Sequence, residues 1–230
     1  MNEKYDKDEF VFMSSNHIHG TYKVESISNF VKVDSAYSYK EIYLLKEVYE
    51  AFLIMATAAK TDSLELKIIS AARSFDYQKK LWENKWTGKT KVDGKKLSQT
   101  IKDYFQRAKK ILEYTAPPGF SRHHWGTDID INSVETEYFD SIEGQKIYTW
   151  LQLNAPKFGF CQTYNAKELR NGLGFCEEKW HWSYTKLADP IIQELINQYQ
   201  TEDIKDFMGF REVRKLSLLQ DYILSINKCQ

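Results

Sequence analysis

Apolar residues recur at spacings of three and four between residues 38 and 60. Ile42, Leu45, Val48, Tyr49, Phe52 and Met55 fall on one face, which predicts an amphipathic helix over this stretch. LELKIIS at 64–70 alternates and carries β-branched residues, the pattern of a strand. Ser74 can cap a helix running to about residue 86, and residues 97–113 form another helical stretch after the loop at Gly88 and DGKK. APPG at 116–119 breaks it, because two prolines cannot continue a helix. TDIDI at 127–131 alternates as a strand, 143–157 reads as a helix, and GFCQTY as a further strand. EEKWHWSY alternates again, with Trp180, Trp182 and Tyr184 on one face and His181 and Ser183 on the other.

Three segments follow from this pattern. Residues 1–37 carry few helix signals and read as an extended segment packed on the domain, with a short strand at FVKV. Residues 38–187 hold the interspersed helices and strands, and 188–230 read as a C-terminal helical extension. The fold class is α+β, with a small, mainly antiparallel sheet as the floor of a site.

Composition narrows the function. Hydrophobic residues make up 42% of the 230 and charged residues 28%, ordinary for a chain with a buried core. Lys and Arg number 32 against 32 Asp and Glu, so no nucleic-acid partner is expected. No apolar run reaches the ~18 residues of a transmembrane helix, and MNEKYDKDEFVF lacks the apolar stretch of a signal peptide. Three cysteines exclude a complete internal disulfide set; Cys161 and Cys176 flank a loop and can pair, while Cys229 looks spare.

The chain has five histidines, and His123, His124 and His181 fall in its two most aromatic- and acid-rich motifs. A catalytic zinc takes three ligands from His, Asp, Glu and Cys and leaves a position for water. His123, Asp130 seven residues on, and His181 can supply those three, with a turn at Gly126 bringing the first two together. Glu178, three residues before His181, can then act as the base. A histidine on a strand is otherwise a hydrogen-bonded core residue, and spacing alone leaves both readings open. The H-E-x-x-H signature of many zinc proteases is absent.

Ser121-Arg-His123-His-Trp-Gly126-Thr-Asp-Ile-Asp130 resembles the S-x-H-x-x-G-x-[A/D]-x-D pattern of the zinc D-alanyl-D-alanine carboxypeptidases, and Glu178-Lys-Trp180-His181 resembles their E-x-W-H motif. That group also includes lysostaphin-type endopeptidases and the Hedgehog signalling domain. IISAARSFDYQKKLW looks like the family's substrate-binding segment, and the likeness spans about residues 40–187. It implies a Hedgehog/DD-peptidase-like fold. It implies Zn2+ on His123, Asp130 and His181, Glu178 as base, and Arg73 on the substrate carboxylate or the developing oxyanion. It also implies substrate contacts from Ser121 and Gln78. The implied reaction removes the C-terminal D-amino acid from a peptidoglycan stem peptide. An endopeptidase on the same scaffold and a non-catalytic zinc-stabilised module binding wall peptides or a protein are the alternatives; Glu178 and Arg73 favour an enzyme. Asp128 stands where the pattern often has Ala and shares a strand face with Asp130, so it competes as a ligand, as Glu177 competes with Glu178. His124 reads as a supporting residue, and His17 and His19 receive no role. The substrate implies export to the periplasm or envelope, with the signal peptide missing from this sequence; a cytoplasmic location is the alternative.

Overall fold

A computed structural model describes residues 12–170 and 172–228. Helices α1 (Ser15–His19) and α2 (Lys46–Thr61) flank a two-stranded ribbon, β1 (Phe30–Lys32) paired antiparallel with β2 (Tyr43–Leu45). Strand β3 (Ile68–Ser70) leads into α3 (Phe75–Thr87), α4 (Leu97–Thr100) and α5 (Tyr104–Ile111). Then follow β4 (Asp128–Ile131), α6 (Ile142–Asn154), β5 (Phe160–Gln162), β6 (His181–Tyr184), α7 (Thr185–Gln198) and α8 (Phe210–Val213). Strands β3, β4, β6 and β5 form one antiparallel sheet in that order. The architecture is the expected α+β, a small antiparallel sheet among helices.

Alternation gives the sheet two different faces. Ile129, Ile131, Trp182 and Tyr184 join Phe52, Met55 and Ala59 of α2 and Ile147, Trp150 and Leu151 of α6 in one core. The opposite face carries Asp128, Asp130, His181 and Ser183, all buried. A second core gathers Trp82 and Trp86 of α3, Ala108 and Ile111 of α5, and Ile191 and Leu195 of α7. The Trp82 indole N–H donates to the Met208 carbonyl at 2.8 Å, tying the C-terminal region to α3.

Local differences from the sequence pattern have identifiable causes. Ile42 and Leu45 continue the spacing of α2, but residues 43–45 are extended because they pair with β1. Strand β3 is shorter than LELKIIS, since the Lys67 N–H is taken by the Asn132 side chain at 2.8 Å. The stretch 97–113 is two helices, because the Asp103 carboxylate caps a new start by accepting from the Gln106 N–H at 2.8 Å. Within the segment read as extended, Ser14 caps α1 and Gly20 ends it in a left-handed conformation. Five residues are too few for a periodic signal. Ser74 caps α3 as expected, its side chain accepting from the Tyr77 N–H.

Candidate metal centre and active site

The turn Arg122–Trp125 reverses the chain at Gly126, whose φ is +71°. A Cβ there would lie 2.4 Å from the Phe30 ring, so no larger residue fits without displacement. The reversal feeds β4 and brings His123 beside Asp130. In the sheet Asp130 lies opposite His181. Glu178 is not on the strand, which begins only at His181; it sits on the preceding turn, where its carbonyl accepts from the His181 N–H at 3.2 Å. The strand-face rule therefore does not separate Glu177 from Glu178. Their surroundings do: Glu178 is buried, 3.7 Å from His181 Nδ1, whereas Glu177 accepts from the Tyr148 hydroxyl at 3.4 Å.

The ligand atoms of His123, Asp130 and His181 all lie within 4.8 Å of one another. His123 Nε2 is 3.4 Å from Asp130 Oδ2, and His181 Nδ1 is 3.1 Å from Asp130 Oδ1. Two donors each ~2.0–2.1 Å from a tetrahedral ion lie about 3.3 Å apart, so the two contacts to Asp130 fit a small divalent ion, and the two histidines would draw closer to share it. The tautomers fit too. His123 Nδ1–H donates to the Ala71 carbonyl at 2.8 Å, which leaves the Nε2 lone pair facing the cluster. His181 Nε2–H donates to Asp128 Oδ1 at 2.9 Å, which leaves Nδ1 for the same point. Asp128 is thus the carboxylate that orients His181, and its other oxygen accepts from the Thr127 hydroxyl at 2.6 Å. Arg122 fixes it in turn, donating from Nε to Asp128 at 2.9 Å and from Nη2 to Ser183 at 2.7 Å. This arrangement puts Asp128 behind the histidine, outside the cluster of His123, Asp130 and His181 that could hold a metal.

The electrostatics favour a cation here. Burial works to neutralise His181, but its hydrogen bonds to Asp128 and Asp130 overrule this and hold its pKa at about 9, so in the metal-free chain Nδ1 carries a proton toward Asp130, the proton a metal ion would replace. Burial would also protonate Asp130; contacts with His123 and His181 and the charge of Arg73 keep it well below the ordinary carboxylate range. Burial and the Arg73 charge keep His123 neutral. Glu178 goes the other way: burial and the Asp130 charge, partly offset by His181, raise it to about 7.

Arg73 donates to Ser70 Oγ at 3.0 Å, Gln78 Oε1 at 3.2 Å and Asp130 Oδ2 at 2.9 Å. Gln78 does not lie on a solvated helix face. It is 1% exposed and its amide nitrogen donates to the Ala116 carbonyl at 2.8 Å. Ser121 is buried and lines the cavity over the cluster, about 560 Å3 in volume, together with Arg73, Gln78 and Glu178. Trp180 also lines it, whereas Trp182 and Tyr184 belong to the core beneath. His124 holds two segments, donating from Nδ1 to the Arg73 carbonyl at 2.7 Å and accepting from the Gly119 N–H at 3.1 Å. His17 and His19 hydrogen-bond the Trp125 and Gly119 carbonyls, far in sequence from both. Cys176 is free, so it makes no bridge to Cys161. Sequence reasoning missed Arg122 and Lys85, which also lines the cavity. A basic residue six positions from Asp128, inside a motif of buried residues, was the available signal for the first.

The chain matches the family described as VanY, D-alanyl-D-alanine carboxypeptidase, over residues 41–187. YodJ of Bacillus subtilis, whose name assigns it as a carboxypeptidase, is 31% identical over 177 residues, covering 73% of this chain and 57% of that protein. A D-alanyl-D-alanine carboxypeptidase of Enterococcus faecalis is 29% identical over 130 residues, covering 55% of this chain and 42% of the other. The chain thus spans about half the length of the curated relatives it matches. Among solved structures, the LdcB LD-carboxypeptidase superposes with a TM-score of 0.53 at 24% identity, covering 86% of this chain and 81% of the other. The vancomycin-resistance D,D-pentapeptidase VanY, solved with Zn(II), gives 0.52 at 23% identity, covering 70% and 82%. At these identities the two structures speak for the fold, and the motif-bearing match over 41–187 for the lineage: the chain belongs to the VanY D-alanyl-D-alanine carboxypeptidase family.

Proposed function

We propose that the protein is a zinc-dependent D-alanyl-D-alanine carboxypeptidase that removes the C-terminal D-amino acid from peptidoglycan stem peptides. The observation that carries this reading is the His123–Asp130–His181 cluster, with Glu178 buried beside it at the floor of an open cavity. His123, Asp130 and His181 would hold a zinc ion, which would supply Lewis acidity to the scissile carbonyl and to water beside it. Glu178 takes the proton from the attacking water as the new C–O bond forms, then delivers it to the leaving nitrogen as the C–N bond breaks. Arg73 spends three N–H groups on Ser70, Gln78 and Asp130, so two of the five of a guanidinium remain for the substrate. Placed against Asp130, they steady the oxygen that gains negative charge. Ser121 contributes a hydroxyl from the cavity wall. Such substrates place the site of action at the cell envelope; among the described residues no helix is long and apolar enough to cross a membrane.

The test is release of D-alanine from a synthetic pentapeptide stem by the zinc-loaded protein. Glu178→Gln should lower kcat by about 10^2- to 10^4-fold while zinc content stays at one ion per chain. Undiminished release by that variant would sink the base assignment. Product masses decide between removal of the last residue and cleavage within the peptide.

A further inference from the structure

Lys85 lies on α3, two turns beyond Gln78, and its side chain lines the same cavity as the metal cluster. Its ammonium donates to the Thr115 hydroxyl. The next residue, Ala116, accepts from Gln78, which accepts from Arg73, which donates to Asp130. One wall of the cavity is therefore a row of polar groups that connects the His–Asp–His cluster to Lys85.

The two cations of this row differ in their partners. Arg73 is paired with Asp130 at 2.9 Å. No carboxylate of the described residues lies within 4.0 Å of the Lys85 ammonium; Glu178 and Glu135 act on it only from a distance. Lys110, close in sequence to the same wall, shows the contrast, with Asp93 at 2.5 Å and Glu113 at 2.6 Å. Burial depresses the Lys85 pKa, and the Arg73 charge adds to this while Glu178 opposes it. A cation taken largely out of water without a counter-ion is costly to keep, and an incoming anion removes that cost.

We propose that Lys85 is a substrate-binding residue that reads a carboxylate of the peptide, beyond the contacts made by Arg73 and Gln78. The inference rests on the peptidase reading above and deepens it: the cavity selects peptides that bring a negative charge to Lys85. Two carboxylates have that chemistry, the one at the C-terminus of the leaving residue and an acidic group on a residue N-terminal to the D-alanyl-D-alanine pair. Lysine suits the task, since a compact ammonium can donate to a carboxylate from several directions.

The experiment measures binding rather than turnover. Zinc-loaded Glu178→Gln protein, alone and combined with Lys85→Gln, is titrated calorimetrically with stem peptides. One pair differs in a terminal carboxylate or amide, and a second pair in a side-chain acid or amide at a residue N-terminal to the D-alanyl-D-alanine pair. Lys85→Gln should weaken binding by about 10- to 100-fold for the peptide bearing the carboxylate it reads. It should have little effect once that group is amidated, and Lys85→Arg should restore part of the loss. Thermal melting should stay unchanged, since glutamine can keep the bond to Thr115. The pair that shows the difference identifies which carboxylate is read. Equal weakening on acid and amide in both pairs, or no weakening in either, overturns the proposal. Peptides that bind in this Lys85-dependent way but are not cleaved by the wild-type protein would instead refute the peptidase reading and leave Lys85 in place.

Discussion

Asp128→Asn separates an orienting carboxylate from a ligand. Asp128 accepts from His181 Nε2 and from Arg122 Nε, both at 2.9 Å, and from the Thr127 hydroxyl. Asparagine keeps the shape and one acceptor oxygen, and the threonine hydroxyl can rotate to accept from the new amide. What is lost is the negative charge behind the imidazole. A charge-assisted hydrogen bond is about twice as strong as a neutral one, a difference near 1.4 kcal/mol or about tenfold in affinity. Replacements behind metal-bound histidines cost about 10- to 100-fold, so the zinc Kd should rise by that range. Asp130→Asn, which under the proposed function removes a ligand, should cost more. Stability follows a second line, because Arg122 is 6% exposed and would lose its counter-charge. Breaking a buried pair costs about 3–5 kcal/mol, and the retained acceptor of asparagine keeps the loss at or below the low end. Competition with a chromophoric chelator measures the Kd, and melting in excess chelator measures the metal-free stability. A zinc Kd within twofold of wild type would refute the orienting role. A loss as large as that of Asp130→Asn would return Asp128 to the ligand set.

Two further predictions address the scaffold. Gly126→Ala should destabilise the fold by about 2–4 kcal/mol, since alanine is strained at φ +71° and its Cβ meets Phe30. Phe30→Leu should recover part of that in the double variant, and a loss under about 1 kcal/mol in urea denaturation would contradict the contact. His17 is buried, donating from Nε2 to the Trp125 carbonyl at 2.9 Å and accepting from the Met13 N–H at 3.0 Å. Burial, opposed by the Trp125 bond, lowers its pKa from 6.5 to about 4. The unfolded chain takes up this proton near pH 6.5 and the folded chain only near 4, so the His17 contribution is full above pH 6.5 and is lost between the two values. The loss is on the order of 3 kcal/mol. The stability advantage of wild type over His17→Gln should shrink across that window, and a constant difference would show that His17 titrates normally.

The four-stranded sheet and α3 were legible because each is specified locally. Alternating residues in TDIDI and WHWSY assign faces without knowledge of the partner strand, and Ser74 marks the start of α3 by itself. The His123, Asp130 and His181 cluster was legible for a related reason, as each residue holds a fixed place in a short motif. What stayed hidden depends on partners distant in sequence. Tyr43–Leu45 carries helical spacing but is drawn into a strand by β1. Gln78 sits on a helix of mixed charge, and only the Ala116 carbonyl and Arg73 explain its burial. Lys85 looks like any lysine of a charged helix until α3 is packed against residues 111–116.

Asp128 shows why the two carboxylates of β4 could not be told apart from sequence. They are two residues apart, so both project from the same face, about 7 Å apart along the strand. A single imidazole lies between them, with Nδ1 toward Asp130 and Nε2 toward Asp128. Which carboxylate faces the cluster and which stands behind the ring depends on the register that sets His181 opposite Asp130. That register is held from the other face, where Ile129 and Trp182 pair within the apolar core. A slip of one residue would turn every polar side chain of β4 into that core. The hydrophobic face therefore assigns the roles of the acids it never touches. Arg122 adds a local reason for the outcome: it pairs with Asp128, while Arg73 pairs with Asp130 from the cavity side. Each carboxylate thus has its own arginine, and the one that also contacts His123 is the one that completes the cluster able to hold a metal.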